Sequence, residues 1–300
     1  MVQADVATSG TLEAQVESTT SVDLATRLHL RMWLWLLMLS PVILLLFCAV
    51  VPDLFQLHDP QHQNLRARLL PPWSTSSDGF HPFGTDSLGR DLYSQMVEGT
   101  RLTLTIAVVA TAIGCAFGVL VGLVSGYFGG WLDRFLSRLS EAQTAMPMFL
   151  VAILLLSLLG PSVTILLIVL PTLLWPIFAR VVRAESMRLK ESLFIEAAIA
   201  VGCSPMTLLR SHMLPNIAPR ILVLAVIEVG HVMLAEAGLS FLGVGVQPPD
   251  VTWGLLIAGG RPLLAVAWWL TILPGVLLAM TVLILNLFGR QFERFSGAAA

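Results

Sequence analysis

The sequence has few charged residues, and this shortage excludes an ordinary soluble domain. Asp, Glu, Lys and Arg together make up 12% of the 300 residues, whereas hydrophobic residues make up 56%. A soluble domain has about 25% charged residues. The apolar residues also form long runs, without the alternation of a soluble strand or the periodic spacing of a soluble helix. We therefore expect lipid to surround most of this chain.

Other shortages exclude further classes of protein. The net charge of −2 gives no basic excess for binding nucleic acid, and the 3 cysteines are scattered, without a C-x-x-C pair or the spacing of a zinc site. The sequence lacks GxSxG and HExxH motifs and clustered catalytic carboxylates. Its single lysine, Lys190, does not follow a glycine, so there is no Walker A loop for nucleotide. We predict that the chain is not an enzyme and holds neither a cofactor nor a metal ion.

Six apolar segments predict an all-α integral membrane protein with six transmembrane helices, because about 20 apolar residues form a helix that crosses a bilayer core of about 30 Å. The first segment is longer than the apolar region of a cleavable signal peptide, so we expect it to be retained. The third is short and is expected to extend back through residues 136–144. The predicted spans are Met32–Val51, Leu102–Phe128, Ala145–Leu159, Val163–Ala179, Ile221–Leu242 and Leu263–Phe288.

The distribution of basic residues predicts the orientation in the membrane. Of the 17 Lys and Arg residues, twelve fall on the inside and five on the outside if the N-terminus is cytoplasmic. This bias places both termini in the cytoplasm. Before the second span, Asp86 or Ser87 is expected to cap a short surface helix that Gly99 ends. The predicted organisation is a cytoplasmic tail (1–31), the first helix (32–51), an outside segment (52–100), a core with five transmembrane helices (101–289) and a second cytoplasmic tail (290–300).

Three histidines in the outside segment raise the question of a metal site. They are His58, His62 and His81. Pro60 interrupts the first pair, and no cysteine or carboxylate cluster accompanies them to complete a set of ligands. We therefore predict a plain loop.

Glycines occur at every fourth position of the second predicted span. This spacing places them on one side of a helix, where missing side chains let another backbone approach closely. The sequence predicts helix packing here but leaves open whether the contact is fixed or moves as a gate. This glycine face consists of Gly114, Gly118, Gly122 and Gly126.

The segment from residue 184 to residue 216 is too polar to span a membrane and too apolar for a simple linker. Gly202 is expected to end one short helix. Ser204 is expected to cap a second helix with Pro205 at its first position, and Pro215 to close that helix. Two short helices joined at a glycine would present a shaped surface to a cytoplasmic partner.

The segment of residues 184–216 resembles the "EAA" loop of the permease subunits of ABC importers, and it is called here the coupling loop. The matching residues are Glu196-Ala197-Ala198, Gly202 after three further residues, and His212-x-Leu214-Pro215 after nine more. The histidine followed by Leu-Pro-Asn is similar to the peptide, opine and nickel branch. The other stretches that resemble that branch are residues 81–91, 126–133, 239–245, 247–249, 253–254, 274–275 and 286–289. Arg290 departs from it, because an acidic residue commonly follows the final glycine.

The resemblance implies the membrane-spanning permease subunit of an ATP-driven, binding-protein-dependent importer for peptides, opines, nickel or metal chelates. Its implied partners are a homologous second permease, two cytoplasmic ATP-binding subunits and an extracytoplasmic substrate-binding protein. It implies the cytoplasmic (inner) membrane of a bacterium or archaeon, and the long N-terminal tail is typical of the second permease of the pair. The residues then expected to couple the loop, between helices 4 and 5, to the ATPase are Glu196, Ala197, Ala198, Gly202, His212, Leu214 and Pro215.

Glu228 and His231 lie in the fifth predicted span, three residues apart, and can share a face of the helix. Because a charge within the bilayer is costly, such residues face protein or water. They either line a solute path or hold helices together, and the sequence does not separate these readings. They also suit an alternative function, an ion-coupled secondary transporter, although the sequence shows no inverted repeat or paired broken helices typical of that class. Glu236, near the outer end, is expected to have an architectural role.

Overall fold

The computed structural model describes residue 40 and residues 43–295, with side chains described to residue 292. The predicted N-terminal tail and most of the first predicted span, Met32–Val51, lie outside the described residues, as do residues 296–300. The fold is almost wholly helical, and residues 43–50 are also helical. The helices that follow are α1 (Leu92–Phe128), α2 (Gly130–Thr144), α3 (Met148–Leu159), α4 (Val163–Lys190), α5 (Leu193–Ala200), α6 (Pro205–Thr207), α7 (Leu214–Phe241), α8 (Trp253–Gly260) and α9 (Trp269–Phe295).

Four of the described helices are long and apolar enough to cross a membrane, namely α1, α4, α7 and α9. Helices α2 and α3 pass the same test only as a pair, with a bend of 83° between them. The described residues therefore contain four or five candidate spans. A helix is the expected form of these segments because lipid offers no partner for backbone N–H and C=O groups.

The bend between α2 and α3 corrects the prediction that the third span extends back as one helix through residues 136–144. The chain breaks at Ala145 and resumes at Met148. Pro147 lies in this break with extended ψ (φ −59°, ψ 117°). Proline disfavours helical geometry in the residue before it and cannot donate a backbone hydrogen bond, so the break falls where the chemistry favours one.

The start of α1 also differs from the sequence prediction. The helix begins at Leu92, capped by Asp91, whose carboxylate accepts a hydrogen bond from the backbone N–H of Ser94 (2.8 Å). It runs through Gly99 without interruption, so the predicted short surface helix capped by Asp86 or Ser87 is wrong. A Cβ atom on Gly99 would lie 3.3 Å from the ring of Trp253, so this glycine provides room for packing.

Residues 52–91 form a small irregular unit that leads into α1. It contains an antiparallel hairpin of β1 (Ser74–Ser76) and β2 (Gly79–His81). At the other end of the chain, the last span begins at Trp269, later than the predicted Leu263, because residues 261–268 are taken up by a 3₁₀ turn and irregular backbone.

The main core lies between α1, α3, α4, α7 and α9. Its buried side chains are mostly Leu, Val, Ile and Ala, and Trp253 of α8 is completely buried among them. Trp253 donates its ring N–H to the carbonyl of Met96 (2.9 Å) and its backbone N–H to Thr103 Oγ1 (3.0 Å). These bonds attach α8 to α1.

Candidate functional site

The coupling loop folds much as its local sequence predicts. Helix α5 ends at Ala200, and Gly202 follows with a φ of +86°, a conformation that favours glycine. Ser204 caps α6 by accepting from the N–H of Thr207 (3.3 Å), with Pro205 in the first turn. One prediction is wrong: Pro215 does not close this helix. Residues 208–213 form a π-helical turn that continues directly into α7, and Pro215 lies near the start of α7 without ending the helix.

The loop exposes apolar side chains to its surroundings. Leu193 is 83% exposed, Val201 84% and Met206 71%. Glu196 and Ala197 are exposed on the same helix as Leu193. Exposed apolar side chains are typical of an interaction site, and Glu196 adds an exposed carboxylate to the same loop.

The inner side of α5 is attached to the ends of three long helices. Ile195 is fully buried and Ala198 nearly so. Both belong to a single apolar cluster, called here the loop cluster, that joins α5 to α1, α4 and α7 and to the π-helical turn. Its other buried members are Val119, Leu123, Val182, Leu208, Leu209, Met213, Ile217 and Ile221, with Leu214 packed at its edge.

Ion pairs connect the same helix ends. Arg183 of α4 binds Asp133 of α2 through two nitrogens, one of them 2.7 Å from Asp133 Oδ2. Glu185 of α4 pairs with Arg220 of α7. Bidentate arginine–carboxylate pairs fix orientation as well as distance. They therefore hold α2, α4 and α7 in register beside the loop cluster.

The four glycines of the glycine face all point at α4. A Cβ atom on Gly118 would lie 2.5 Å from the carbonyl oxygen of Trp175 and 2.6 Å from Phe178 Cβ. One on Gly122 would lie 2.7 Å from the carbonyl oxygen of Ala179. Since real Cβ contacts are longer than this, the two helices lie too close along this line for any side chain larger than that of glycine.

The polar residues of α7 differ in their surroundings. Glu228 and His231 are in contact, with 3.2 Å between Oε1 and Nδ1. The glutamate side chain is 6% exposed and the histidine 54%. Glu236 is buried and accepts hydrogen bonds from Ser240 (2.7 Å) and from Thr252 (2.9 Å). It thus connects α7 to the start of α8, in keeping with an architectural role.

The histidines of residues 52–91 separate into two groups. His58 and His81 come together with Asp91, their ligand atoms all within 4.8 Å of one another, whereas His62 is largely exposed and lies 3.7 Å from Asp78. The reason given for a plain loop, that no carboxylate accompanies the histidines, does not hold. Sequence reasoning missed Asp91 because it is distant along the chain from His58 and acts locally as a helix cap.

Comparison with known proteins identifies a family and several relatives. The family described as "Binding-protein-dependent transport system inner membrane component" matches residues 118–296. A putative peptide transport system permease protein of Brucella suis biovar 1 is 32% identical over 252 residues, covering 83% of this chain and 82% of the relative. The glutathione transport system permease protein GsiD of Salmonella typhimurium is 41% identical over 209 residues, covering 70% of this chain and 69% of the relative.

Solved structures give the same fold. An inward-facing conformation of the MetNI methionine ABC transporter, in its native crystal form, matches with a TM-score of 0.55 and 21% sequence identity. The match covers 67% of this chain and 95% of that chain. At this level of identity, the likeness concerns the arrangement of helices alone.

Proposed function

The chain belongs to the family of binding-protein-dependent transport system inner membrane components, and we propose that its solutes are short peptides, glutathione among them. As a permease of this family, it is a multi-pass inner membrane subunit of a bacterial ABC importer and has no nucleotide site of its own. The relatives named for peptide and glutathione transport, at 32% and 41% identity, are the observation that carries the choice of solute.

The direction of α1 and α4 supports a topology of six spans. Along the glycine face, Gly114 lies against Leu174 and Gly126 lies against Ser186, so the two helices run parallel. Two parallel spans require the chain to return across the membrane between them, and only α2 with α3 is available there. Counting this bent pair as one broken span gives five in the described residues, and the predicted first span, Met32–Val51, would make six. Both termini would then lie on one side, and the basic-residue bias supports the cytoplasmic side.

The coupling loop is proposed to transmit movement from the ATPase. Its exposed surface, with Leu193, Val201 and Glu196, would contact the cytoplasmic ATP-binding subunit, of which the importer would contain two. Its buried side, with Ile195 and Ala198, reaches the loop cluster and so three spans at once. Because a packed cluster shifts as a unit more readily than it deforms, tilting α5 would move the ends of α1, α4 and α7 together. Among the candidate coupling residues, His212 is half-buried at the π-helical turn and lies beside these contacts.

The solute path is proposed to run between this chain and a homologous second permease. His231 is half exposed within a span, and an imidazole there meets lipid, another subunit or a water-filled path. Exposing the imidazole to lipid has a high free-energy cost. We therefore place Glu228 and His231 toward the second permease, where a peptide would find a partner for its charged ends.

A second candidate function rests on the same pair. A buried carboxylate 3.2 Å from an imidazole would also suit an ion-coupled secondary transporter, the alternative function. The two functions differ in their energy source, so one experiment separates them.

The test is reconstitution of the chain in proteoliposomes with its candidate second permease, ATP-binding subunits and substrate-binding protein. We expect ATP to drive uptake of a labelled dipeptide or glutathione, and the non-hydrolysable analogue to drive none. Uptake by this chain alone under a proton gradient, independent of ATP, would support the secondary transporter. ATP-driven uptake of another solute in place of peptides would retain the importer and overturn the proposed substrate.

A further inference from the structure

Three side chains from distant parts of residues 52–91 come together at the N-terminal end of α1. His58 comes from the loop after the first span, His81 ends β2, and Asp91 caps α1. His81 Nδ1 lies 2.8 Å from Asp91 Oδ1, and His58 Nδ1 lies 3.9 Å from Asp91 Oδ2. The two rings are 4.8 Å apart between centroids. His81 and Asp91 are almost fully buried, and His58 is mostly so.

The hydrogen bonding of His58 leaves a lone pair facing the carboxylate. Its Nε2 lies 3.0 Å from the carbonyl oxygen of Asp78, and because a carbonyl only accepts, Nε2 carries the proton. In the neutral ring Nδ1 is then an acceptor. Among the described residues, this buried nitrogen has no hydrogen-bond partner. Two acceptors, an imidazole lone pair and a carboxylate, thus face each other, an arrangement that a cation between them would satisfy.

The outer contacts of the cluster resemble those around metal ligands. A histidine that binds a metal usually donates its other ring N–H to a carbonyl, carboxylate or water. His58 does so to Asp78, and His81 Nε2 lies 2.9 Å from Ser76 Oγ. Asp91 Oδ2 is fixed by the N–H of Ser94 at 2.8 Å. All three candidate ligands are therefore already held by other groups.

We propose that His58, His81 and Asp91 bind a zinc ion. Two imidazole nitrogens and one carboxylate oxygen are ligands that zinc accepts, with a water molecule as the fourth, whereas calcium and magnesium prefer oxygen alone. Bond lengths of about 2.0–2.2 Å place tetrahedral ligands roughly 3.3 Å apart. The donor atoms lie within 4.8 Å of one another, so modest side-chain rotations complete the site. The hydrogen bond between His81 and Asp91 is exchanged for two bonds to the metal.

A metal-free cluster explains less of the geometry. Hydrogen bonds alone account for His81 and Asp91, but they leave His58 Nδ1 buried beside a carboxylate without a proton between them. Zinc would also connect the loop, the hairpin and the first turn of α1 through one centre. Its expected role is to fix residues 52–91 on the end of that span.

The test uses the full-length chain purified in detergent through a streptavidin-binding tag, which adds no histidine. Zinc is removed with a chelator, restored, and measured by elemental analysis and by competition with a chromogenic indicator. We expect one zinc per chain for the wild type. His58→Gln retains a donor for Asp78 but removes the imidazole, and should weaken binding at least about 10- to 100-fold, because even second-shell losses have effects of that size. The matched control His62→Gln, on the exposed neighbour, should bind as the wild type does.

Thermal unfolding provides a second readout that does not depend on transport. Zinc should raise the unfolding temperature of the wild type and of His62→Gln and leave that of His58→Gln unchanged, because a ligand that binds only the folded state stabilises it. The proposal is overturned if the wild type takes up no stoichiometric zinc. Equal zinc binding by His58→Gln and His62→Gln would also overturn it.

Discussion

Adding one methyl group at Gly118 should disturb the contact between α1 and α4. The new Cβ would lie 2.5 Å from the carbonyl oxygen of Trp175 and 2.6 Å from Phe178 Cβ. Carbon atoms in contact are about 3.5–4.0 Å apart, so the helices must separate locally by roughly 1 Å. Overpacking of this kind costs about 1–3 kcal/mol. Gly118→Ile should cost more, because its branched side chain has no space at all.

A matched control is available in α9. A Cβ atom on Gly275 would meet nothing within 4 Å among the described residues, so Gly275→Ala adds the same methyl group without a clash. Gly114→Ala should be intermediate, because its Cβ would lie 2.9 Å from the side chain of Leu174 and 3.3 Å from the nearest backbone atom. The expected order of stability is therefore Gly275→Ala, Gly114→Ala, Gly118→Ala and Gly118→Ile.

The measurement is the apparent unfolding temperature of a fluorescent fusion, followed by size-exclusion chromatography of detergent extracts after heating. For about 1–3 kcal/mol, the Gly118→Ala value should fall by roughly 2–12 °C, using about 2–4 °C per kcal/mol for large domains. Equal values for Gly118→Ala and Gly275→Ala would refute the reasoning, since the glycine face would then not be in backbone contact.

Three further predictions concern topology, the coupling loop and the polar pair. A reporter fused after Ser77 should be located outside the cytoplasm and one after Lys190 inside it, and the reverse pair would contradict the proposed orientation. Gly202→Val, which denies the chain a φ of +86°, should reduce ATP-driven uptake at least about tenfold while the chain stays in the membrane; Gly202→Asn should be milder, because Asn tolerates positive φ. Glu228→Gln retains the shape and a hydrogen bond to His231, so it should leave assembly unchanged and alter uptake rate or solute preference; poor assembly with normal uptake per complex would show a structural pair.

The sequence predicted the local features of the chain better than its long-range contacts. Four long spans were visible because lipid requires continuous apolar helices. The start of α1 at Leu92 was missed because Gly99 was read as the end of a separate short helix, whereas the continuous helix depends on the Asp91 cap and on packing against Trp253. Gly202 was interpreted correctly because positive φ is a property of one residue.

Other features required the folded chain. Pro215 was read as a stop, although a proline is equally suited to the first turn of the following helix. The contact between His58 and Asp91 depends on how the hairpin folds back. The hydrophobic pattern of the sequence carries no information about such a contact. Pro147 is a sequence signal for a break in the helix, but the bend of 83° depends on what α2 and α3 pack against.

The glycine face and the loop cluster act on the same two helices, which bears on how the proposed movement would spread. Val182 of α4 belongs to the loop cluster and also lies 2.7 Å from the Cβ position of Gly122. A backbone contact has no side chains that can change rotamer, so α1 and α4 are expected to move as one body when α5 tilts. Between that pair and α7, the helix ends are joined by the loop cluster and by the ion pair of Glu185 with Arg220. We therefore expect α7, the helix that carries Glu228, to follow that pair when α5 tilts.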